Sequence, residues 1–124
     1  MNSSLEEMVY AKIKSILGTR VKVVDKNRTN CRGKTYIGLH PRDGEYIQGF
    51  NYEDFWAGYG TIDCVASNEG VYVNFYDGHG KCHYGPYITK FTLSGNIDYL
   101  LKDFCNEIFR NLHIVAIPKK SSFK

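Results

Sequence analysis

Two stripes of apolar residues at helical spacing, one near each end of the chain, constrain this sequence most. Leu5, Met8, Val9, Ile13, Ile16 and Leu17 recur three and four positions apart, which places them on one face of a helix. Ile97, Leu100, Leu101, Phe104, Cys105 and Ile108 repeat the pattern, and Leu112 extends it. A helix with one apolar face must bury that face against another layer. The stretch between the stripes offers such a layer. Val71-Tyr72-Val73-Asn74-Phe75-Tyr76 alternates, with Val71, Val73 and Phe75 on one side, the period of a half-buried strand. The expected fold is α+β, with the N-terminal and C-terminal amphipathic helices packed on one face of an antiparallel sheet of about five strands.

Local signals fill in the order. Ser3 with Glu6, or Ser4 with Glu7, fits a capping box for the first helix, and Gly18 is its stop. Val21–Val24 and Thr35–Leu39 read as strands separated by a polar, basic loop, Asn27 to Lys34. Pro41-Arg42-Asp43-Gly44 reads as a turn. From Glu45 to Gly60 the periodicity is weak, with a short helix over Tyr52–Ala57 capped by Asn51. Thr61–Ala66 is the next strand, then a turn at Ser67–Gly70. Asp77-Gly78-His79-Gly80 is a hairpin turn leading into Lys81–Tyr84. Pro86 is expected to interrupt this strand before Tyr87–Leu93. Asn96 caps the second helix, and His113–Ile117 is a last short strand. With both helices on one side, the opposite sheet face would carry Tyr72, Asn74 and Tyr76 and be open to a partner.

At 124 residues the chain reads as one domain over 1–118, followed by a basic, frayed tail at 119–124. The four cysteines, Cys31, Cys64, Cys82 and Cys105, are widely spaced and form no CxxC pair. The start, Met1-Asn2-Ser3-Ser4, has no apolar leader core, and no run approaches a membrane span. These features point to a cytoplasmic protein with reduced thiols. A secreted, disulfide-bonded domain is the alternative, with Asn2-Ser3-Ser4 and Asn27-Arg28-Thr29 as glycosylation sequons.

Charge is unevenly distributed. Between Arg42 and Lys81 there is no Lys or Arg, but there are seven acids and nine aromatics. Residues 1–45 carry nine basic and five acidic groups, a net +4. Residues 46–80 carry five acids and no base, −5, and residues 81–124 carry seven bases and three acids, +4. Such polarity concerns partners rather than fold.

Motifs for chemistry are sparse. His79, Cys82 and His83 cluster near the hairpin and, with His40 or Cys64, supply ligand types for zinc. A zinc site usually shows a second ligand pair, which is missing, and consecutive Cys82 and His83 point to opposite faces of a strand. Packed and solvated roles are therefore expected for them, with no metal and no cofactor. A Cys–His nucleophile pair has no surrounding signature. The carboxylates Glu53, Asp54, Asp63 and Asp77 read as a solvated face rather than an acid–base pair. No enzyme is expected.

Three binding readings remain, one of them a small-ligand or metal-binding protein built around His79, Cys82 and His83. Arg20, Lys22, Lys26, Arg28, Arg32, Lys34 and Arg42 surround Tyr36 and His40. Cations beside aromatics suit nucleic acid, with Arg28, Arg32, Lys34 and Tyr36 as contacts. The acidic aromatic window suits a basic protein instead. Tyr46, Tyr52, Trp56 and Tyr59 are interface-type anchors, and Glu53, Asp54 and Asp63 would attract positive charge. A small lone α+β domain with an acidic aromatic face and no catalytic motif resembles, in style, toxin-immunity proteins (antitoxins) and phage-encoded anti-defence inhibitors. The expected function is stoichiometric inhibition of a basic partner, a nuclease or toxin, with the docking stretch at Glu45–Asp63.

Overall fold

The structure is a computed structural model that describes residues 3–28, 34–48, 60–77 and 81–118. Helix α1 spans Ser3–Leu17, strand β1 Lys22–Arg28, β2 Lys34–His40 and β3 Glu45–Ile47. Strands β4, β5 and β6 follow at Thr61–Ala66, Gly70–Tyr76 and Cys82–Thr89, then helix α2 at Ser94–Asn111 and β7 at Ile114–Ala116. The main sheet has five strands in the order β1-β2-β4-β5-β6, every neighbour antiparallel. Strands β3 and β7 form a separate two-stranded ribbon. This is the α+β, mainly antiparallel layout that the apolar patterning predicts. No helix among the described residues is long and apolar enough to cross a membrane.

The register explains the core. Ile62 lies between Ile37 and Phe75, and Cys64 lies opposite Val73. Val71 faces Ile88 across the next ladder. These side chains share one buried cluster with Val9, Ile13 and Leu17 of α1 and Ile97, Leu101, Phe104, Cys105 and Ile108 of α2. Both predicted helical stripes are therefore the buried faces of their helices. Burial of each large aliphatic side chain contributes about 1.5–3 kcal/mol. At the surface, Lys12 Nζ lies 2.6 Å from Asp98 Oδ1 and links the two helices, an exposed pair of small energetic weight.

Several element boundaries differ from expectation for identifiable reasons. Strand β1 runs through Asn27 and Arg28, because its ladder to β2 continues to the Arg28–Lys34 pair. Strand β6 continues through Pro86, and the register shifts between Tyr72 and Asn74. Such an irregularity on an edge strand accommodates a proline that has no N–H to donate. Gly85 sits in the same stretch. A Cβ there would lie 2.7 Å from the Phe104 ring and 2.9 Å from the Val73 carbonyl oxygen, so α2 can approach the sheet closely. Phe91–Leu93 is a turn and helix entry rather than strand. The Thr92 N–H donates to the Thr89 carbonyl, and Leu93, not Asn96, occupies the cap position of α2. The turn before β3 forms as expected, with Gly44 at φ 83° and the Glu45 N–H donating to the Arg42 carbonyl. The expected short helix at Tyr52–Ala57 and the tail at 119–124 lie outside the described residues.

Candidate interaction face

Alternation along the strands sorts side chains onto the second face of the main sheet. The ladders align Lys26, Tyr36, Asp63, Asn74 and Tyr84 in one transverse row across all five strands. A second row brings Val65, Tyr72 and Tyr87 together, and a third aligns Gly38, Thr61, Tyr76 and Cys82. The two halves of this face differ. Its middle is closed: Tyr36, Gly38 and Thr61 are buried, and Asp63 is only 6 % exposed. Its β5–β6 side is open: Tyr84 is 84 % exposed and Tyr72 49 %.

On the open side the side chains hold one another. The Tyr72 and Tyr87 rings stack with centroids 4.3 Å apart at an interplanar angle of 27°, slightly closer than the roughly 4.5–7 Å common for aromatic pairs. The hydroxyl of Tyr87 lies 3.1 Å from Ser67 Oγ. Ser67 in turn holds the β4–β5 turn, accepting from the Gly70 N–H at 3.2 Å through its hydroxyl oxygen. The ring pair is thereby fixed at both strand and turn.

In the closed middle, the Asn74 amide donates to Asp63 Oδ1 at 3.2 Å. Burial, and then the negative charge of Asp63, push the Tyr76 hydroxyl up to about 12. Thr61 Oγ1 is buried without a hydrogen-bond partner among the described residues. Behind the sheet, burial raises the thiols of Cys64 and Cys105, the latter to about 12, so both stay protonated and unreactive near neutral pH.

The expected site residues distribute as follows. Asp63 lies inside the sheet face and offers little surface to a partner. Tyr46 is exposed, but on β3 of the separate ribbon, opposite Val115. Tyr52, Glu53, Asp54, Trp56 and Tyr59 lie outside the described residues. Of the nucleic-acid set, Tyr36 is buried in the sheet, Arg28 and Lys34 are register partners at one end of the β1–β2 ladder, and Arg32 lies outside the described residues. His83 and Cys82 fall on opposite sides of β6, paired with Phe75 and Tyr76 respectively. His83 Nε2 lies 2.8 Å from Asp77 Oδ2, and Asp77 Oδ1 accepts the Lys81 N–H at 3.0 Å, an arrangement that closes the β5–β6 hairpin. His79 lies outside the described residues. Among the described residues no group of three or more His, Cys, Asp or Glu is placed to hold a metal ion.

Sequence reasoning identified Tyr72 on this face but missed Tyr84 and Tyr87. Alternation alone would separate Tyr84 from Tyr87, which are three residues apart, and only the register shift at Gly85 and Pro86 brings both onto this face. Comparisons with protein families, curated proteins and solved structures find no match to this chain.

Proposed function

We propose that the protein acts by binding, as a stoichiometric inhibitor of a basic, nuclease-like protein of the kind countered by toxin-immunity and anti-defence proteins. One observation carries the reading. The exposed Tyr72 and its stacked neighbour Tyr87 lie on a sheet in which two of the three inner strands, β4 and β5, come from the stretch without Lys or Arg. Exposed aromatic surface on a rigid scaffold is typical of interface anchors, and a local excess of acid favours and accelerates docking of a positive partner. Tyr46 and the segment holding Tyr52, Glu53, Asp54, Trp56 and Tyr59 belong to the same cation-free stretch and remain part of the proposed partner-binding set. The free thiols of Cys64, Cys82 and Cys105 suit a cytoplasmic setting. The test is capture of partners from the native host on the tagged protein, followed by titration of any captured nuclease. Saturation of inhibition at one protein per enzyme is expected. Absence of a captured partner, or catalytic rather than stoichiometric action, would overturn the reading.

A second reading rests on the Arg28–Lys34 register pair at one end of the β1–β2 ladder, since a cluster of cations suits nucleic acid phosphates. Affinity for oligonucleotides that falls steeply with salt would support it, and no binding at low salt would end it.

A further inference from the structure

We infer that strands β1 and β2, on the sheet face away from the helices, form a sequence-independent site for the phosphodiester backbone of a nucleic acid. The inference rests on the second, nucleic-acid reading above and assigns its contacts; the inhibitor reading does not depend on it. The β1–β2 ladder pairs Lys22 with His40, Val24 with Gly38, Lys26 with Tyr36 and Arg28 with Lys34. These positions share the face of the row through Lys26, Tyr36 and Asp63. They hold four Lys or Arg and no Asp or Glu. The acid of β1, Asp25, belongs to the other face, where Lys14 Nζ of α1 lies 3.3 Å from its Oδ2. Alternation thus sorts the strand by charge, with the acid toward the helices and the cations away from them.

Charge and shape select the occupant. Four cations with no acid among them attract an anion, and they follow a strand, so the anion that fits is a linear polymer. From Lys22 to Arg28 the strand runs about 20 Å, a length over which one DNA strand presents about six phosphates. Strand β1 is an edge of the sheet and Lys22 is exposed, which leaves a polymer room to lie along it. The next acid across the face, Asp63, is only 6 % exposed and accepts a hydrogen bond from Asn74. A lipid surface would require exposed apolar side chains beside the cations. Among the described residues the most exposed of these, Tyr84, Phe91 and Leu93, belong to β6 and the connection after it, at the opposite edge of the sheet. Tyr36 is buried and offers no ring for base stacking. The contacts are therefore to phosphate, which positions a nucleic acid without reading its bases. Lysines on an edge strand also discourage pairing with other chains, but that role alone requires no affinity for DNA.

The experiment titrates the full chain with short DNA duplexes of contrasting base composition over a salt series, with polyglutamate and phosphatidylserine vesicles in parallel. The duplexes are expected to bind alike, with a slope of log K against log salt of about −3.6 for four phosphate contacts. Lys22→Gln with Lys26→Gln should weaken binding at least roughly tenfold at low salt and make the slope shallower by about 2. Lys22→Arg with Lys26→Arg, which keeps both charges, should bind within about 2-fold of the parent. Lys81→Gln with Lys90→Gln removes the same net charge at the opposite edge and should also stay within about 2-fold. Thermal melts of each variant exclude unfolding as the cause. If the parent binds but the two glutamine pairs lose affinity equally, the strip assignment fails while the nucleic-acid reading stands. If the parent binds no DNA at low salt, that reading fails and the site with it. Tighter binding of polyglutamate or vesicles than of DNA, or a strong preference among the duplexes, would also overturn the inference.

Discussion

Thr61→Val should make the protein more stable, although it removes a polar group from a strand at the centre of the sheet. Thr61 is 2 % exposed, and its hydroxyl has no hydrogen-bond partner among the described residues. Its backbone is fixed by the Gly38 and Tyr76 pairs on either side, so the side chain cannot turn outward without breaking two ladders. An unsatisfied buried hydroxyl costs about 1–3 kcal/mol. Valine keeps the shape and the β-branching that suits a strand and removes that cost. Allowing for imperfect fit of the added methyl, the gain is about 1 kcal/mol. A chain of this length has an unfolding entropy of roughly 260 cal/mol/K, so the melting temperature should rise by roughly 4 °C. Thr61→Ser is the companion. It keeps the hydroxyl and loses a buried methyl, and should cost about 1 kcal/mol. Urea and thermal denaturation followed by circular dichroism read both variants. A destabilised Thr61→Val protein would refute the reasoning, since it would mean that the hydroxyl is satisfied, for example by a bound water.

Gly70→Ala should be severe, because its Cβ would lie 2.2 Å from the Ile88 carbonyl oxygen, a backbone atom held in the β5–β6 ladder. A loss of about 3 kcal/mol, roughly 11 °C in melting temperature, is expected, and a shift under about 2 °C would contradict the close approach. Leu101→Ala, at a fully buried α2 position, should cost about 2–5 kcal/mol in urea unfolding. Stability should be fully present below pH 9.0, the ordinary thiol value, and fall as pH rises toward 12. Buried Cys105 holds its proton to about 12 in the fold, whereas the unfolded chain forms the thiolate first. Urea midpoints near pH 7.5 and 10.5 check this, and a Cys105→Val variant that leaves the slope unchanged would remove Cys105 as a source. In a Cys31→Ser background, a thiol reagent should modify partly exposed Cys82 in the native state and reach Cys64 and Cys105 only on unfolding. Equal rates at all three would contradict the burial.

Much of the fold was legible because its signals are local. The α1 and α2 stripes and the Thr61–Ala66 and Val71–Tyr76 strands depend on periodicity alone, and the structure places them as read. What escaped depended on tertiary context. Strand β3 is three residues long and exists through its pairing with Ile114–Ala116, nearly at the other end of the chain. The passage of β6 through Pro86 depends on its place at the sheet edge and on a shift in register, neither of which composition reveals. The face itself was half legible: alternation in β5 yields Tyr72, but the burial of Asp63 and Tyr36 depends on strand order. Asp63 therefore read as surface charge, although the middle of the sheet encloses it.

The pairing of β3 with β7 also sets an order of events during folding. Strands β4, β5 and β6 are joined by short connections and can zip together locally, whereas Glu45 must find Ala116 and α1 must find α2 across most of the chain. Loop closure over such separations is slow and comes after local structure. Tyr72, Tyr84 and Tyr87 belong wholly to these locally joined strands. Loosening of the ribbon would uncover Ile47, a residue 2 % exposed in the closed form, while leaving Tyr72, Tyr84 and Tyr87 in place. The tyrosine face of β5 and β6 should thus outlast the first partial openings of the native state, and amide exchange should be fastest at Glu45–Ile47 and Ile114–Ala116 and slowest at Ile62–Cys64 and Val71–Val73.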